Sequence, residues 1–236
     1  MRNVALLAFV LAACATGERR GFPSLDHTWG AADFVQAGAE ADRLSGSDVS
    51  SLPRRGDPVF NRLVDLSVGD DVGDESQPLG ARGELTRGYM ESSLRLMRAY
   101  GRAGPAYVPE VRELLMAFFA NGCEMMVLLA KFDRMPDKEL ANPDAVHEGM
   151  ARMRSGVRQL TSGVLTMLHP REGVPDADRI RYAELVASHL PHVMPLMPDP
   201  DREAVYKQLD GLVAREKNPA VRTRLARIRI PQHVSP

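Results

Sequence analysis

The stretch that decides the fold is LLMAFFANGCEMMVLLA, residues 114–130. In a helical conformation it is apolar on every side except at Asn121, Gly122 and Glu124. Such a helix suits either a membrane span or the centre of a soluble bundle. A charged Glu124 near the middle of a span would cost about 2.5–3.5 kcal/mol. We therefore predict a buried central helix over residues 108–134, kinked or split at Asn121-Gly122.

The side chains of Glu124 and Cys123 lie within this apolar stretch, and each leads to a prediction. A buried Glu124 requires a partner, and the candidates on the next predicted helix are Arg152, Arg154 and Arg158. Cys123 lies in the most apolar part of the sequence, where burial raises the pKa of a thiol. We therefore expect Cys123 to be an inert core residue.

The flanking sequence predicts further helices and no strands. An Asp or Asn side chain can accept a hydrogen bond from the first turn of a helix, and a following proline has no N–H to leave unpaired. This pair occurs before four apolar-periodic segments, at Asp57-Pro58, Asn142-Pro143, Asp199-Pro200 and Asn218-Pro219. Pro175-Asp176 offers a fifth helix start.

The predicted fold is all-α, a single bundle-like domain of six to seven helices around the central helix. An acidic turn over residues 69–75 separates the first two predicted helices. A weaker helical pattern near residues 31–44 could dock on the domain through Trp29, Phe34, Val35 and Leu44. The predicted helices are 57–68, 82–101, 108–134, 143–168, 176–193, 200–216 and 219–229.

The amino terminus has the pattern of a targeting segment. The first fourteen residues are MRNVALLAFVLAAC, with Arg2 before an apolar run from Val4 to Ala13 that is too short to span a bilayer. The run ends in Leu11-Ala12-Ala13-Cys14, which resembles the lipobox of bacterial lipoproteins. The resemblance implies cleavage before Cys14 and attachment of acyl chains, palmitate among them, to that residue.

Three segments follow from this resemblance. Residues 1–13 are expected to be a cleaved signal peptide, 14–56 a lipid anchor with a flexible tether, and 57–236 the helical domain. Ala15 after the cysteine is similar to the outer-membrane pattern of enteric bacteria. The expected location is therefore a bacterial membrane, the outer membrane facing the periplasm.

Charge and cysteine content limit the function classes. A net charge of −1 gives no basic field for nucleic acid. Two cysteines, one of them predicted to be acylated, allow no intramolecular disulfide. The sequence has no His-Glu-x-x-His, Gly-x-Ser-x-Gly, phosphate-loop or Cys-x-x-Cys-His motif. A site assembled from distant residues stays open, but we expect a non-enzymatic protein without a cofactor.

One cluster suggests a metal carrier as the alternative. His189, His192, Met194 and Met197 lie within nine residues, interrupted by Pro191 and Pro195. Imidazole and thioether groups suit Cu(I). The competing interpretation is that both methionines fill the core and the histidines lie at a helix end. The alternative function is thus a periplasmic copper-binding lipoprotein.

The last predicted helix, 219–229, is basic. Arg222, Arg224, Arg227 and Arg229 accompany a narrow apolar stripe. Guanidinium groups bind carboxylates and phosphates in a bidentate way, so the helix could face an acidic protein or anionic lipid. The competing interpretation is a solvated surface that keeps the protein soluble. The function predicted overall is a lipid-anchored envelope protein whose helical domain binds another envelope component.

Overall fold

The computed structural model describes residues 21–140 and 142–228, and within these residues it contains α-helices and short 3-10 turns but no strand. The predicted all-α class is confirmed. The helices are α1 Ala31–Ser47, α2 Pro58–Leu63, α3 Ser67–Gly73, α4 Leu79–Arg102, α5 Val108–Asp133, α6 Pro143–Met167, α7 Asp176–Val193, α8 Asp199–Arg215 and α9 Pro219–Ala226.

Helix α5 is the predicted central helix, and it packs against α3, α4, α6 and α7. It is long and apolar enough to cross a membrane, yet 72% of its most apolar window is buried inside the domain. Phe118 faces a core formed with α1–α4, whereas the adjacent Phe119 faces a core formed with α6–α9. Helix α5 is therefore a wall shared by two hydrophobic cores. We call residues 21–107 the N-terminal half and residues 142–228 the C-terminal half.

The predicted split of this helix is wrong, because α5 is one continuous helix in which Asn121 bonds to neighbouring segments. Its Oδ1 accepts a hydrogen bond from the N–H of Gly69 at 2.8 Å, and its Nδ2 donates to the carbonyl of Asp65 at 2.9 Å and to the hydroxyl of Tyr89 at 2.8 Å. These bonds leave the backbone of α5 continuous. They also hold the start of α3 against α5.

The predicted acidic turn over residues 69–75 is likewise wrong, because most of it belongs to α3. Gly69 lies so close to α5 that an added Cβ would be 2.9 Å from Cγ of Glu124. At the other end, Nε of Arg82 donates to the carbonyl of Val72 at 2.6 Å. Contacts at both ends of α3 therefore stabilise a helix of only seven residues.

The expected tether also differs from the structure, because residues 31–47 form α1 and α1 packs along α4. Ala31 lies against Gly88, and Gly38 lies against Ser92, so the two backbones approach closely. Phe34 is 1% exposed, and it belongs to the same core as Trp29. The folded domain thus includes residues 21–56, which the predicted boundary at residue 57 had excluded.

The C-terminal half begins with a helix start of the predicted kind. Oδ1 of Asn142 accepts from the N–H of Ala145 at 3.1 Å, and Oδ1 of Asn218 accepts from the N–H of Ala220 at 3.0 Å. Helix α8 instead starts at Asp199 itself. The apolar faces of α6–α9 meet the second face of α5 and close the C-terminal core.

Candidate functional site

The residues singled out from the sequence are only partly within the described chain. Cys14 and Arg229 lie outside the described residues, so the lipidation prediction is not addressed by the fold. Cys123 is fully buried, and burial raises the pKa of its thiol well above the ordinary value. This environment suits the inert core role that the sequence predicts.

Glu124 does not contact the arginines proposed as its partners. Arg152 pairs with Glu148, Arg154 with Asp133 and Arg158 with Asp201. The carboxylate of Glu124 instead lies 4.0 Å from Nε2 of His189 on α7. The prediction of an arginine partner is wrong because the side chain is directed toward α3 and α7 and is 37% exposed to water.

The His/Met cluster is divided between core and surface. Met194 and Met197 are 0% and 4% exposed and belong to the C-terminal core, whereas His192 is exposed. Nδ1 of His189 is 2.9 Å from the carbonyl of Leu185, one turn earlier in α7. Helix α7 runs through Pro191 to Val193, and a 3-10 turn over Met194–Leu196 follows it. Copper binding stays a prediction from the sequence.

The arginines of α9 do not form one face. Arg224 pairs with Glu184 of α7, with 2.5 Å between Nε and Oε2. Arg222 and Arg227 are exposed and make no ion pair among the described residues. Five residues of an α-helix correspond to about 140° around its axis, so these two guanidiniums leave the helix in different directions.

A network of ionic side chains that the sequence analysis missed joins the two halves. It centres on Glu113 of α5, whose side chain is 8% exposed. Oε1 of Glu113 accepts hydrogen bonds from Arg181 and from the hydroxyl of Tyr182, the latter at 2.7 Å. Arg55 reaches the same oxygen at 3.0 Å from the loop before α2.

Arg55 also provides the direct connection across the halves. Its two terminal nitrogens donate to the two carboxylate oxygens of Asp178 on α7, at 3.1 and 2.9 Å. Such bidentate pairing is among the stronger polar contacts in proteins. The loop of the N-terminal half is thereby fixed to α7 of the C-terminal half.

The loop itself is held from several directions. Nε of Arg54 donates to Oε1 of Glu110 at 3.0 Å, and its Nη2 donates to the carbonyl of Ala106 at 2.7 Å. Gly56 has φ +94°, a conformation that favours glycine and turns the chain into α2. The backbone around Arg55 is therefore placed before any ligand arrives.

The network favours the charged forms of Arg55, Asp178 and Arg181. Hydrogen bonding to Glu113 raises the pKa of Arg181, and hydrogen bonding to Asp178 raises that of Arg55. Burial acts to raise the pKa of Asp178, but the hydrogen bonds and positive charges of Arg55 and Arg181 together outweigh it, and the pKa is lowered. Burial and the bond to Glu113 raise the pKa of Tyr182. These groups are suited to fixed electrostatic contacts more than to proton transfer near neutral pH.

A groove opens beside the network. It has a volume of about 240 Å³ and continues into an apolar recess of about 70 Å³. The side chains of Arg55 and Arg181 are 38% and 53% exposed at its rim. Charged groups at the rim beside an apolar recess suit a ligand with both polar and apolar groups. The groove is lined by Arg55, Gly56, Phe60, Asn61, Val64, Glu113 and Arg181, and the recess adds Leu66, Met116, Ala117, Tyr182 and Leu185.

A larger hollow of about 390 Å³ lies between the start of α1 and α3–α4. Its ionisable lining is mostly acidic, and its basic member Arg82 is already bonded to the end of α3. Burial raises the pKa of Asp71, and the neighbouring carboxylates raise it further. Like charges, with the arginine already occupied, make this hollow a weaker candidate than the groove.

Few features of the sequence indicate the groove. Arg54-Arg55-Gly56 precedes the Asp57-Pro58 helix start, and Glu113 stands just before the apolar stretch. Asp178, the partner of Arg55, is 123 residues further along the chain, so only the fold brings these two side chains together. Comparison with protein-family models, with curated proteins and with solved structures gives no match for this chain.

Proposed function

We propose that this protein is a lipid-anchored, non-enzymatic component of the bacterial cell envelope whose helical domain binds another envelope component. The observation that supports the anchor is the Leu11-Ala12-Ala13-Cys14 sequence after a ten-residue apolar run. Two or three acyl chains on Cys14 would hold the protein durably on a membrane, since each buried methylene contributes about 0.8 kcal/mol. The outer membrane, with the domain in the periplasm, is the location we propose.

The binding role is supported by the groove at the junction of the halves. Its carboxylates are already paired with arginines, and its loop is fixed in place. Binding to a fixed groove avoids the entropy of ordering it. A partner segment with an apolar side chain for the recess and polar groups for the arginines fits this lining. The second candidate contact is basic, because Arg222 on α9 and Arg227 just after it are both exposed, on different sides of the helix, and either suits an acidic protein or anionic lipid.

Substitution of the two cysteines tests the anchor. Cys14→Ser should abolish incorporation of radiolabelled fatty acid and leave the precursor uncleaved, because the acyl acceptor is lost. Cys123→Ala is the matched control, and it should be lipidated and cleaved like the wild type because Cys123 is buried in α5. Fatty acid incorporation into the Cys14→Ser variant would contradict the proposal.

Photo-crosslinking in intact cells tests the binding site. A benzophenone amino acid replaces Asn61, which lines the groove, and in separate strains replaces Arg222 on α9 or Leu94, an exposed residue of α4. We expect a discrete adduct from position 61 and none from position 94. An adduct from position 222 alone would favour the basic helix over the groove. Equal labelling at all three positions would argue against a defined site.

A further inference from the structure

The described part of the folded domain begins at Gly21, very close along the chain to the proposed anchor residue Cys14. Nε2 of Gln36 in α1 donates to the carbonyl of Gly21 at 2.9 Å. Phe22 packs against the N-terminal core, and the next residue, Pro23, is buried. The indole N–H of Trp29 donates to the carbonyl of Ser24 at 2.8 Å. From Gly21 onward, the chain is therefore attached to the domain.

This attachment limits how far the domain can be from its membrane. Seven peptide steps separate Cys14 from Gly21, and a fully extended chain covers at most ~3.6 Å per residue, or about 25 Å in all. A folded domain of this size is roughly 40 Å across. The side of the domain opposite Gly21 therefore cannot reach the membrane that holds Cys14.

The surface near Gly21 carries apolar side chains exposed to solvent. Leu25 is 40% exposed and Val35 is 42% exposed. Leu25 is four residues from Gly21, and Val35 is adjacent to Gln36, which binds Gly21. Exposed apolar side chains beside an acyl anchor add to its membrane affinity, because burial in the interface removes them from water.

We propose that the face of the N-terminal half formed by Gly21, Leu25 and Val35 rests on the phospholipid bilayer in which the acyl chains of Cys14 are inserted. This inference rests on the lipid anchor of the proposed function. Helix α1 packs on α4, α4 on α5, α5 on α7 and α7 on α9. Helix α1 belongs to the N-terminal core and the basic helix α9 to the C-terminal core, so the C-terminal half is left for contacts with other envelope components.

Site-directed fluorescence on the full lipidated protein tests this arrangement. Val35→Cys and, as the matched control, Arg222→Cys are labelled with the environment-sensitive dye NBD. Labelling is selective because Cys14 is acylated and Cys123 is buried. The proteins are reconstituted in vesicles of phosphatidylethanolamine and phosphatidylglycerol, with or without lipids that carry a quencher in the acyl chain.

We expect blue-shifted emission and roughly twofold or greater quenching at position 35, and neither effect at position 222. Equal exposure of both labels to water would overturn the inference, as would stronger quenching at position 222. Mass spectrometry of the same preparation separates this failure from failure of the anchor. An unmodified Cys14 refutes the proposed function, whereas a lipidated Cys14 with position 35 in water refutes only the membrane-facing surface.

Discussion

The two halves of the domain fill their cores in different ways. The N-terminal core contains a chain of aromatic rings, in which Trp29, Phe34, Tyr89 and Phe118 follow one another at centroid distances of 5.7, 5.1 and 6.4 Å. The C-terminal core contains aliphatic and methionine side chains, with Phe119 and Tyr182 as its buried aromatic residues. Edge-to-face ring pairs depend on orientation, whereas aliphatic and methionine packing depends mainly on volume.

The two halves also differ in the buried polar contacts that hold their segments together. In the N-terminal half, buried hydroxyls hold connecting segments, as when Tyr100 donates to the carbonyl of Pro53 at 2.7 Å and Tyr107 to that of Val49 at 2.6 Å. In the C-terminal half, the corresponding buried contact is the ion pair between Arg179 and Glu216. We infer that short helices and loops are held in place by individual hydrogen bonds, whereas long helices can be held by the packing of their apolar faces.

The largest expected effects come from the adjacent phenylalanines of α5, which serve different cores. Phe118→Ala and Phe119→Ala should each lower the free energy of unfolding by about 3–5 kcal/mol, because each leaves a cavity in a packed core. Urea denaturation followed by circular dichroism measures this. If only Phe118→Ala lowered the free energy of unfolding, the stability of the C-terminal half would not depend on α5. That result would refute the claim that α5 is shared by two cores.

The next effect concerns the buried ion pair of the C-terminal half. The side chains of Arg179 and Glu216 are 6% and 1% exposed. Glu216→Ala should cost about 3–4 kcal/mol because it removes the buried carboxylate partner of the guanidinium, which then keeps only the exposed Asp176 and the carbonyl of Leu168. Glu184→Ala breaks the half-exposed pair with Arg224 and should cost about 0.2–1 kcal/mol. Similar losses in the two variants would show that the buried pair has no special role.

A pair of neighbouring substitutions in α5 tests the role of directional bonds in the N-terminal half. Asn121→Ala removes three hydrogen bonds from buried or partly buried groups and should cost about 2–3 kcal/mol. Gly122→Ala is the control, since its added Cβ would be 3.8 Å from Leu160 and meets no close atom. It should stabilise the helix by about 0.5–1 kcal/mol. Thermal unfolding should therefore shift in opposite directions for the two variants.

The smallest expected effect is a pH dependence at the junction of α5 and α6. Nδ1 of His147 is 2.8 Å from Asp133, and Nε2 is 3.2 Å from Asp137. Hydrogen bonds to these carboxylates raise the pKa of His147 above the ordinary 6.5. A raised folded-state pKa contributes stability below pH 6.5, and this contribution is lost as the pH rises through the raised value.

Unfolding of the wild type and of His147→Gln between pH 5 and 9 checks this dependence. The difference in unfolding free energy between the two proteins should be largest at the acid end and fade toward alkaline pH. A difference that grows with pH would contradict the sign. A constant difference would assign His147 a packing role instead.

Much of the fold followed from local patterns in the sequence. The apolar stretch around Phe118 and Phe119 predicted α5, and the Asx-Pro pairs at Asn142 and Asn218 predicted helix starts that side-chain capping now explains. These signals depend on neighbours within one or two turns. They can therefore be recognised without knowledge of the rest of the chain.

The remaining features depend on contacts between distant residues. Helix α3 forms because Asn121 and Arg82 bond to its two ends, and nothing in residues 67–73 alone predicts it. The groove needs Arg55 and Asp178, which only the packing of the two halves brings together. The docking of α1 had a visible apolar pattern, but the Gly, Ser and Asp residues around it favoured a tether.

Native-state hydrogen exchange, read by mass spectrometry, tests most directly the central claim that α5 is one wall shared by two cores. We predict that amides of α5 exchange more slowly than those of any other described helix, and only through global unfolding, because both halves must open to expose them. Helix α1, which packs mainly on α4, and α9, which packs mainly on α7, should exchange earlier through local opening. Exchange of α5 while the C-terminal half stays protected would contradict the claim.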